Sequence, residues 1–182
     1  MSRLKTKYQN DVVSQLKQEL ELGNVHQVPQ IEKVVINVGA GRALQDSRVL
    51  EAAKNTLRKV TGQEPVATKA KQSVAGFKLR EGNEIGVKVT LRGAQMYEFI
   101  DRLITVVLPR TRDFRGLSVK SFDPQGNYSI GLPDQGVFPE LTYEDNNVSH
   151  GVQINVITNS NPEHSRALLG ALGFPFERSE NG

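Results

Sequence analysis

Cysteine and tryptophan are both absent from this 182-residue chain. Without cysteine there are no disulfides, no thiolate metal ligands and no cysteine nucleophile, and the composition is compatible with a reducing cytosol. Aromatic residues amount to 6% (seven Phe, four Tyr) and mostly fit core positions, which argues against gripping single strands by stacking. No apolar run approaches the roughly eighteen residues that a membrane span needs. The opening Met-Ser-Arg-Leu-Lys-Thr-Lys is basic without an apolar core behind it, so no secretion signal is expected. Only three histidines occur, His26, His150 and His164. They lie in different segments with no carboxylate or second histidine at ligand spacing, which suits structural or surface roles rather than a metal.

Catalytic patterns are equally scarce. There is no Gly-x-Ser-x-Gly elbow, no His-Glu-x-x-His pair and no Walker-type glycine loop. The pair Glu144-Asp145 lies in polar sequence, where nothing suggests the desolvation that raises a general acid's pKa. One enzyme-like signal stands against this. Gly39-Ala-Gly41-Arg-Ala-Leu44 follows a strand and precedes a helix, the setting of a dinucleotide-binding turn. Leu44 occupies the third glycine position, and no acidic residue ends a second hydrophobic strand about twenty positions on. A tight turn that redirects the chain, or lets RNA backbone approach, fits these residues better. No catalytic residue and no cofactor are expected.

Charge is plentiful and unevenly placed. Residues 1–122 hold 21 Lys+Arg against 12 Asp+Glu, a balance of +9, whereas residues 123–182 hold 2 against 8, a balance of −6. The basic part should attract polyanions and the acidic part a basic protein, unless the segregation is simply that of solubilising charge. Residues 69–80 concentrate the basic signal: Lys69, Lys71, Lys78 and Arg80 around Gly76 and Phe77, with no carboxylate. Neither helical nor alternating periodicity runs through them, so a mobile basic loop is expected, suited to a phosphate backbone or equally to plain solvation.

Four helices are expected. Residues 3–22 repeat Leu4, Tyr8, Val12, Leu16 and Leu20 every four positions before Gly23. Residues 47–61 carry a stripe from Val49 to Val60, with Asp46 or Ser47 as cap and Gly62 as terminator. Residues 94–108 bury Met96, Phe99, Ile100, Leu103, Ile104 and Val107 until Pro109 stops them. The last helix begins at Ser160 or Asn161 with Pro162 in its first turn and ends at Gly173. Strands are expected around Val34–Val38, from Ile85 to Leu91, over 117–121 and 128–132 as a hairpin, and around Val152–Val156. Several strands adjoin without a crossover, which predicts a single α+β domain over 1–182. Its sheet is largely antiparallel, with helices on one face and a polar second face. A long acidic connection, 133–151, is expected to be functional or mobile.

If Ile85, Val87, Val89 and Leu91 face the helices, Lys88, Thr90 and Arg92 emerge together on the other side. Asn37, Gln153 and Asn155 alternate in the same sense. Amides, hydroxyls and cations on an open sheet can meet the phosphates, ribose hydroxyls and base edges of folded RNA. Gln63, Thr68, Lys69, Lys71, Arg110, Arg112 and Arg115 lie in flanking connections, which distinguishes this face from an ordinary wet one.

Several long runs resemble the bacterial-type L-five family of large-subunit ribosomal proteins. They are Ile31-Glu-Lys-Val-Val-Ile-Asn-Val-Gly-Ala-Gly41, the segment 68–82, Gly86-Val-Lys-Val-Thr-Leu-Arg-Gly93, Pro109-Arg-Thr-Arg-Asp-Phe-Arg-Gly116, Ser121-Phe-Asp-Pro-Gln-Gly-Asn-Tyr-Ser-Ile-Gly131 and the ending from Arg166 to Phe176. The resemblance implies a non-enzymatic constituent of the cytoplasmic ribosome. Such a protein attaches 5S rRNA in the central protuberance beside 23S rRNA and neighbouring 5S-associated proteins. It places the 5S-facing role on Asn37, Gln63, Thr90 and Arg92. It implies a loop at 69–82 that reaches P-site tRNA through Lys69, Lys71, Ser73, Phe77, Lys78 and Arg80. It also implies a bridge from the later, acidic half to the small-subunit protein S-thirteen.

Overall fold

The computed structural model describes residues 2–41 and 46–177. Among them, strands β1 (Ile31–Gly39), β2 (Val66–Lys69), β3 (Glu84–Leu91), β4 (Tyr128–Leu132) and β5 (Val152–Thr158) form one five-stranded antiparallel sheet. Its order is β2-β3-β1-β5-β4. With its helices this is the expected α+β class. Along β1, β4 and β5 buried residues alternate with more exposed ones, because successive side chains of a strand point to opposite faces. β2 is a strand that sequence reasoning did not place, since four residues are too few to display a period. Among the described residues no helix is long and apolar enough to cross a membrane.

The chain packs as two compact units. The first draws on residues 1–34, 91–130 and 155–182. It begins with α1 (Arg3–Lys7), a π-turn at Tyr8–Val12 and α2 (Val13–Glu19). A stripe that repeats every four residues outruns a 3.6-residue turn. The wider π-turn takes up the difference and keeps Leu4, Val12 and Leu16 buried. Tyr8 donates from its hydroxyl to the Pro29 carbonyl at 3.0 Å. The helix stops three residues short of expectation. Glu21 takes the left-handed position (φ 50) that Gly23 was expected to supply, and the Glu21 and Leu22 N–H groups donate to the carbonyls of Gln18 and Lys17, a Schellman ending.

A second long helix has the same construction: α4 (Gly93–Arg102), a π-turn at Leu103–Val107 and α5 (Leu108–Arg110). Pro109 does not end it, contrary to expectation. The Leu108 N–H reaches back five residues to the Leu103 carbonyl, and this widened turn accommodates a ring that would collide with a regular α-turn. The hairpin strand expected over 117–121 is also absent. Leu117 instead donates to the Pro175 carbonyl (2.7 Å) and accepts from Glu177 N–H (3.0 Å). Residues Val119–Ser121 form a 3-10 turn, and the Tyr128 hydroxyl donates to the Ser118 carbonyl at 2.7 Å. Distant pairing thus takes residue 117, while of the local ladder only the Phe122–Tyr128 bridge and the Asp123 N–H to Asn127 carbonyl bond remain. The final helix, α6 (Pro162–Leu172), begins where expected, with the Asn161 side chain accepting from His164 N–H.

The second unit draws on residues 35–90 and 131–154. Its helix α3 (Ser47–Thr61) matches the expected bounds, with Asp46 accepting the Arg48 N–H and Gly62 left-handed at the end. Leu50, Ala53, Leu57 and Val60 are its buried stripe. The 133–151 connection is held down rather than loose. Gln135, fully buried, donates from Nε2 to the Val148 carbonyl (2.9 Å) and accepts the His150 N–H on Oε1 (2.8 Å). Phe138 is buried as well. Such side-chain bonds supply what a segment without a ladder lacks.

Gly126 yields a direct test of the first unit. Its φ is +85, and a Cβ there would lie 2.0 Å from the Ser160 carbonyl oxygen and 2.8 Å from Ser165 Oγ. Gly126→Ala should lose on the order of 2–4 kcal/mol of stability from left-handed strain plus overpacking. Gly131→Ala, where nothing stands within 4 Å, should stay within about 1 kcal/mol of the parent or gain slightly. Urea unfolding midpoints of the two variants decide; equal midpoints would mean that the turn relaxes freely.

Candidate nucleic-acid interface

On β3 the period of two ends in a set of unengaged polar groups. Val87, Val89 and Leu91 are buried, Lys88 is exposed and Thr90 half-buried. Arg92 follows in extended conformation (φ −138, ψ 162), so the alternation carries through it, and it is exposed. The alternation fails at the strand's start. Ile85 is only half-buried, and Gly86 is buried in its place. Gly86 pairs with Thr68 of β2, and a Cβ on it would fall 2.8 Å from Thr68 Oγ1 and 2.9 Å from the Val38 carbonyl. Thr68 therefore covers this end of the polar face, while Lys88, opposite the 61% exposed Val66, stays open.

On neighbouring β1, Val34, Ile36 and Val38 are fully buried while Lys33, Val35 and Asn37 are partly exposed. Lys33 is a cation that the sequence reading passed over, although it belongs to the same alternation as Asn37. On β5, Gln153 is exposed and Asn155 half-buried, and the Asn155 Oδ1 accepts from Ser129 of β4 at 2.9 Å. Gln63 does not lie on a strand. It is exposed in the turn between α3 and β2, its N–H donating to Thr61 Oγ1 at 3.2 Å. The side chains of Asn37, Gln63, Lys88, Thr90 and Arg92 make no hydrogen bond or ion pair among the described residues.

The segment expected as an unstructured loop carries its own hydrogen bonds. β2 and β3 pair as an antiparallel hairpin, which continues past Lys69 through Ala70 N–H to the Asn83 carbonyl (2.8 Å) and Gly82 N–H to the Ala70 carbonyl (3.0 Å). Farther out, Val74 and Leu79 form a bridge around a 3-10 turn at Ala75–Phe77, closed by Lys78 in the left-handed region (φ 51). Ser73 Oγ accepts the Glu81 N–H at 2.8 Å. Residue types hid this turn, because no glycine or asparagine marks the left-handed position. Phe77 is 75% exposed at the tip. Lys69, Lys71, Lys78 and Arg80 are exposed and form no ion pair among the described residues.

The dinucleotide alternative does not fit this architecture. That fold needs parallel strands around its turn, whereas the sheet here is antiparallel and Ala40 is engaged in it, donating to the Ile85 carbonyl at 2.9 Å. Leu44, on which part of that comparison rested, lies outside the described residues.

Acidic side chains gather elsewhere in the second unit. A groove of about 300 Å³ is lined by Ser47, Arg48, Glu51 and Asn55 of α3 and by Glu144 and Asp145 of the 133–151 connection. Asp145 accepts from Lys59 Nζ with both oxygens at 2.7 Å, and from the N–H (2.8 Å) and hydroxyl (2.7 Å) of Thr142. The Lys59 ammonium, then the Thr142 bonds, hold its carboxyl down at about 2. His150 is buried with Nδ1 3.0 Å from the Val148 carbonyl. Burial pushes its imidazole below the usual histidine pKa, which favours the neutral form of a structural histidine.

Comparison with known proteins completes the picture. Residues 24–80 match the family model described as ribosomal protein L5, and residues 84–176 match the model of the same ribosomal family's C-terminus. An antiparallel sheet with an open, cation-bearing face is here the construction of a ribosomal protein. Proteins named large ribosomal subunit protein uL5 from Francisella philomiragia and from Francisella tularensis subsp. novicida are each 52% identical over 178 residues, 97% of this chain and 99% of theirs. That of Carboxydothermus hydrogenoformans is 52% identical over 179 residues, 98% of this chain and 100% of its own. The chain belongs to the ribosomal protein L5 family, and is a structural, non-enzymatic constituent of the large ribosomal subunit.

The Asp145 contacts predict an acid-sensitive term in stability. A carboxyl held below its ordinary 3.8 stabilises fully above that pH, and the contribution drains away as pH falls from there to about 2. Asp145→Asn should lower the midpoint of urea unfolding at neutral pH and flatten its fall between these two values. A variant that keeps the parent's acid slope would show that Lys59 and Asp145 are not coupled in solution.

Proposed function

We propose that this chain attaches 5S rRNA to the large subunit of the cytoplasmic ribosome through its open sheet face. Asn37, Thr90 and Arg92 meet the RNA there, with Gln63 beside β2. The observation that carries the reading is the emergence of Lys88 and Thr90 on β3, and of Arg92 just after it, with no side-chain hydrogen bond or ion pair among the described residues. A buried apolar row behind them makes the backbone rigid, so donors and cations are presented in fixed register to an already folded RNA. The hairpin tip of 69–82 reaches P-site tRNA. There Lys69, Lys71, Lys78 and Arg80 meet phosphates and Phe77 offers a flat apolar surface, while the oxygen of Ser73 stiffens the turn and its O–H remains to donate. The acidic balance of residues 123–182 suits a basic protein, as a bridge to S-thirteen requires. 23S rRNA and neighbouring 5S-associated proteins complete the surroundings.

A gel shift with 5S rRNA against a size-matched competitor, run over a series of salt concentrations, tests the sheet-face reading. Thr90→Ala with Arg92→Ala should weaken binding by a few kcal/mol at most, each lost charged hydrogen bond being worth about 1.5–3. The salt dependence should become shallower by roughly one unit for the phosphate contact of Arg92. Unchanged affinity in the double variant would exclude this face. Replacing Lys69, Lys71, Lys78 and Arg80 together by Gln should instead leave 5S rRNA affinity nearly intact and impair tRNA positioning in assembled ribosomes. Equal loss of both would assign the tip to the rRNA interface.

A further inference from the structure

The turn that carries Gln63 is secured more heavily than a surface turn requires. It links α3 to β2 through Thr61-Gly62-Gln63-Glu64-Pro65. On the side of α3, Gly62 stands in the left-handed region (φ 70) and its N–H donates to the Arg58 carbonyl at 2.9 Å. The Thr61 hydroxyl donates to the Leu57 carbonyl (2.6 Å) and accepts the Gln63 N–H (3.2 Å). On the side of β2, Pro65 is buried, and a proline restricts the residue before it to extended backbone. Arg58 spans these two sides. Its Nε donates to Glu64 Oε2 at 2.7 Å and its Nη2 to Oε1, while Nη1 reaches Asn55 Oδ1 at 3.3 Å. Gln63 thus sits in a short backbone ring closed by a two-pronged ion pair. Its own side chain is exposed and makes no hydrogen bond among the described residues.

Simple solvation does not account for the pair. The helix dipole favours a cation at Arg58, in the last turn of α3, but disfavours a carboxylate just past that end. Glu64 also adds negative charge beside a residue that is to meet a polyanion. A carboxylate is tolerable there when a guanidinium holds it, and the bidentate geometry is the one in which an exposed pair holds firmly. We propose that Arg58 and Glu64 are positioning residues for RNA binding: their ion pair locks the 61–65 turn and so fixes Gln63 where the RNA meets it. This rests on the reading of Gln63 given above and adds a cause for its placement. Ordering a contact residue beforehand raises affinity, because less freedom is lost on binding. Lysine would not serve at position 58, since an ammonium is a point charge without a fork. The two charged groups are spent on each other and are not themselves contacts to the RNA.

The full chain and 5S rRNA serve for the test, in a gel shift at several salt concentrations. Glu64→Gln should weaken binding by about threefold to tenfold, although it removes a negative charge. In a chain that already carries Gln63→Ala, the same change should alter affinity by less than about twofold. Arg58→Lys, which keeps the charge and loses the fork, should weaken binding in the same Gln63-dependent way. It should leave the slope of log affinity against log salt as in the parent, no phosphate contact being lost. In the free protein, both variants should speed hydrogen exchange of the Gln63 N–H severalfold. Tighter binding by Glu64→Gln overturns the proposal, since the carboxylate would then act only through its charge. Losses that simply multiply with that of Gln63→Ala also overturn it, as would be seen if the pair served general stability, and so does unchanged exchange at Gln63. If Gln63→Ala itself leaves affinity unaltered, the assignment of Gln63 falls and the proposal with it. That result is distinct from a Gln63 effect that does not depend on Glu64, in which the assignment stands and only the lock fails.

Discussion

Strand β3 imposes one constraint from which the arrangement of its neighbours follows. Its side chains alternate, and Val87, Val89 and Leu91 are fully or almost fully buried. Burying such a row gains roughly 1.5–3 kcal/mol per residue, and a slip of one residue would send all of it into water. The register of Lys88, Thr90 and Arg92 is therefore secured by the apolar residues behind them rather than by any contact of their own. Chemical freedom of the polar set and rigidity of its placement have the same origin. A face intended for a large, preformed partner needs both properties.

Much of this was legible in the chain because the deciding forces are local or periodic. Asp46, the stripe from Leu50 to Val60 and Gly62 mark α3 at both ends, and Asn161 with Pro162 marks the start of α6. The alternation of β3 and β1 survives folding because each strand buries one face. What stayed hidden depends on residues far apart in sequence, or on turns without a signature residue. Leu117 pairs with the segment 175–177, and nothing near residue 117 announces that. The turn at the tip of 69–82 places Lys78, not glycine, at positive φ. The 133–151 connection reads as a loose acidic stretch until Gln135, Phe138 and Asp145 are seen to anchor it. The π-turn at Tyr8–Val12 takes up a mismatch between residue spacing and helical pitch and that at Leu103–Val107 accommodates Pro109, and both stretches were read as uninterrupted α-helix.

Of the residues proposed to bind RNA, Thr90 and Arg92 could be placed on the open face from period two alone, and Asn37 from the same rule on β1. Gln63 follows no period, because it sits in a turn; its place in a flanking connection and the family resemblance pointed to it. Lys33 obeyed the rule and was missed. Thr68 was taken for a residue of a connection, whereas it lies on β2 and covers Gly86. The misplacement of Thr68 has a plain cause: a strand of four residues does not reveal itself, and its cross-strand partners cannot be paired until it is known.

The outermost strands carry a consequence for the protein before it meets RNA. A sheet margin offers unpaired N–H and C=O groups on which another copy could add itself and begin a fibre. Here the margins are β2, of four residues and ending in Lys69, and β4, of five. Such brief margins give a second molecule little to pair with, and the lysine repels its like. A newly made chain can thus stay dispersed at high concentration until its place in the particle is open.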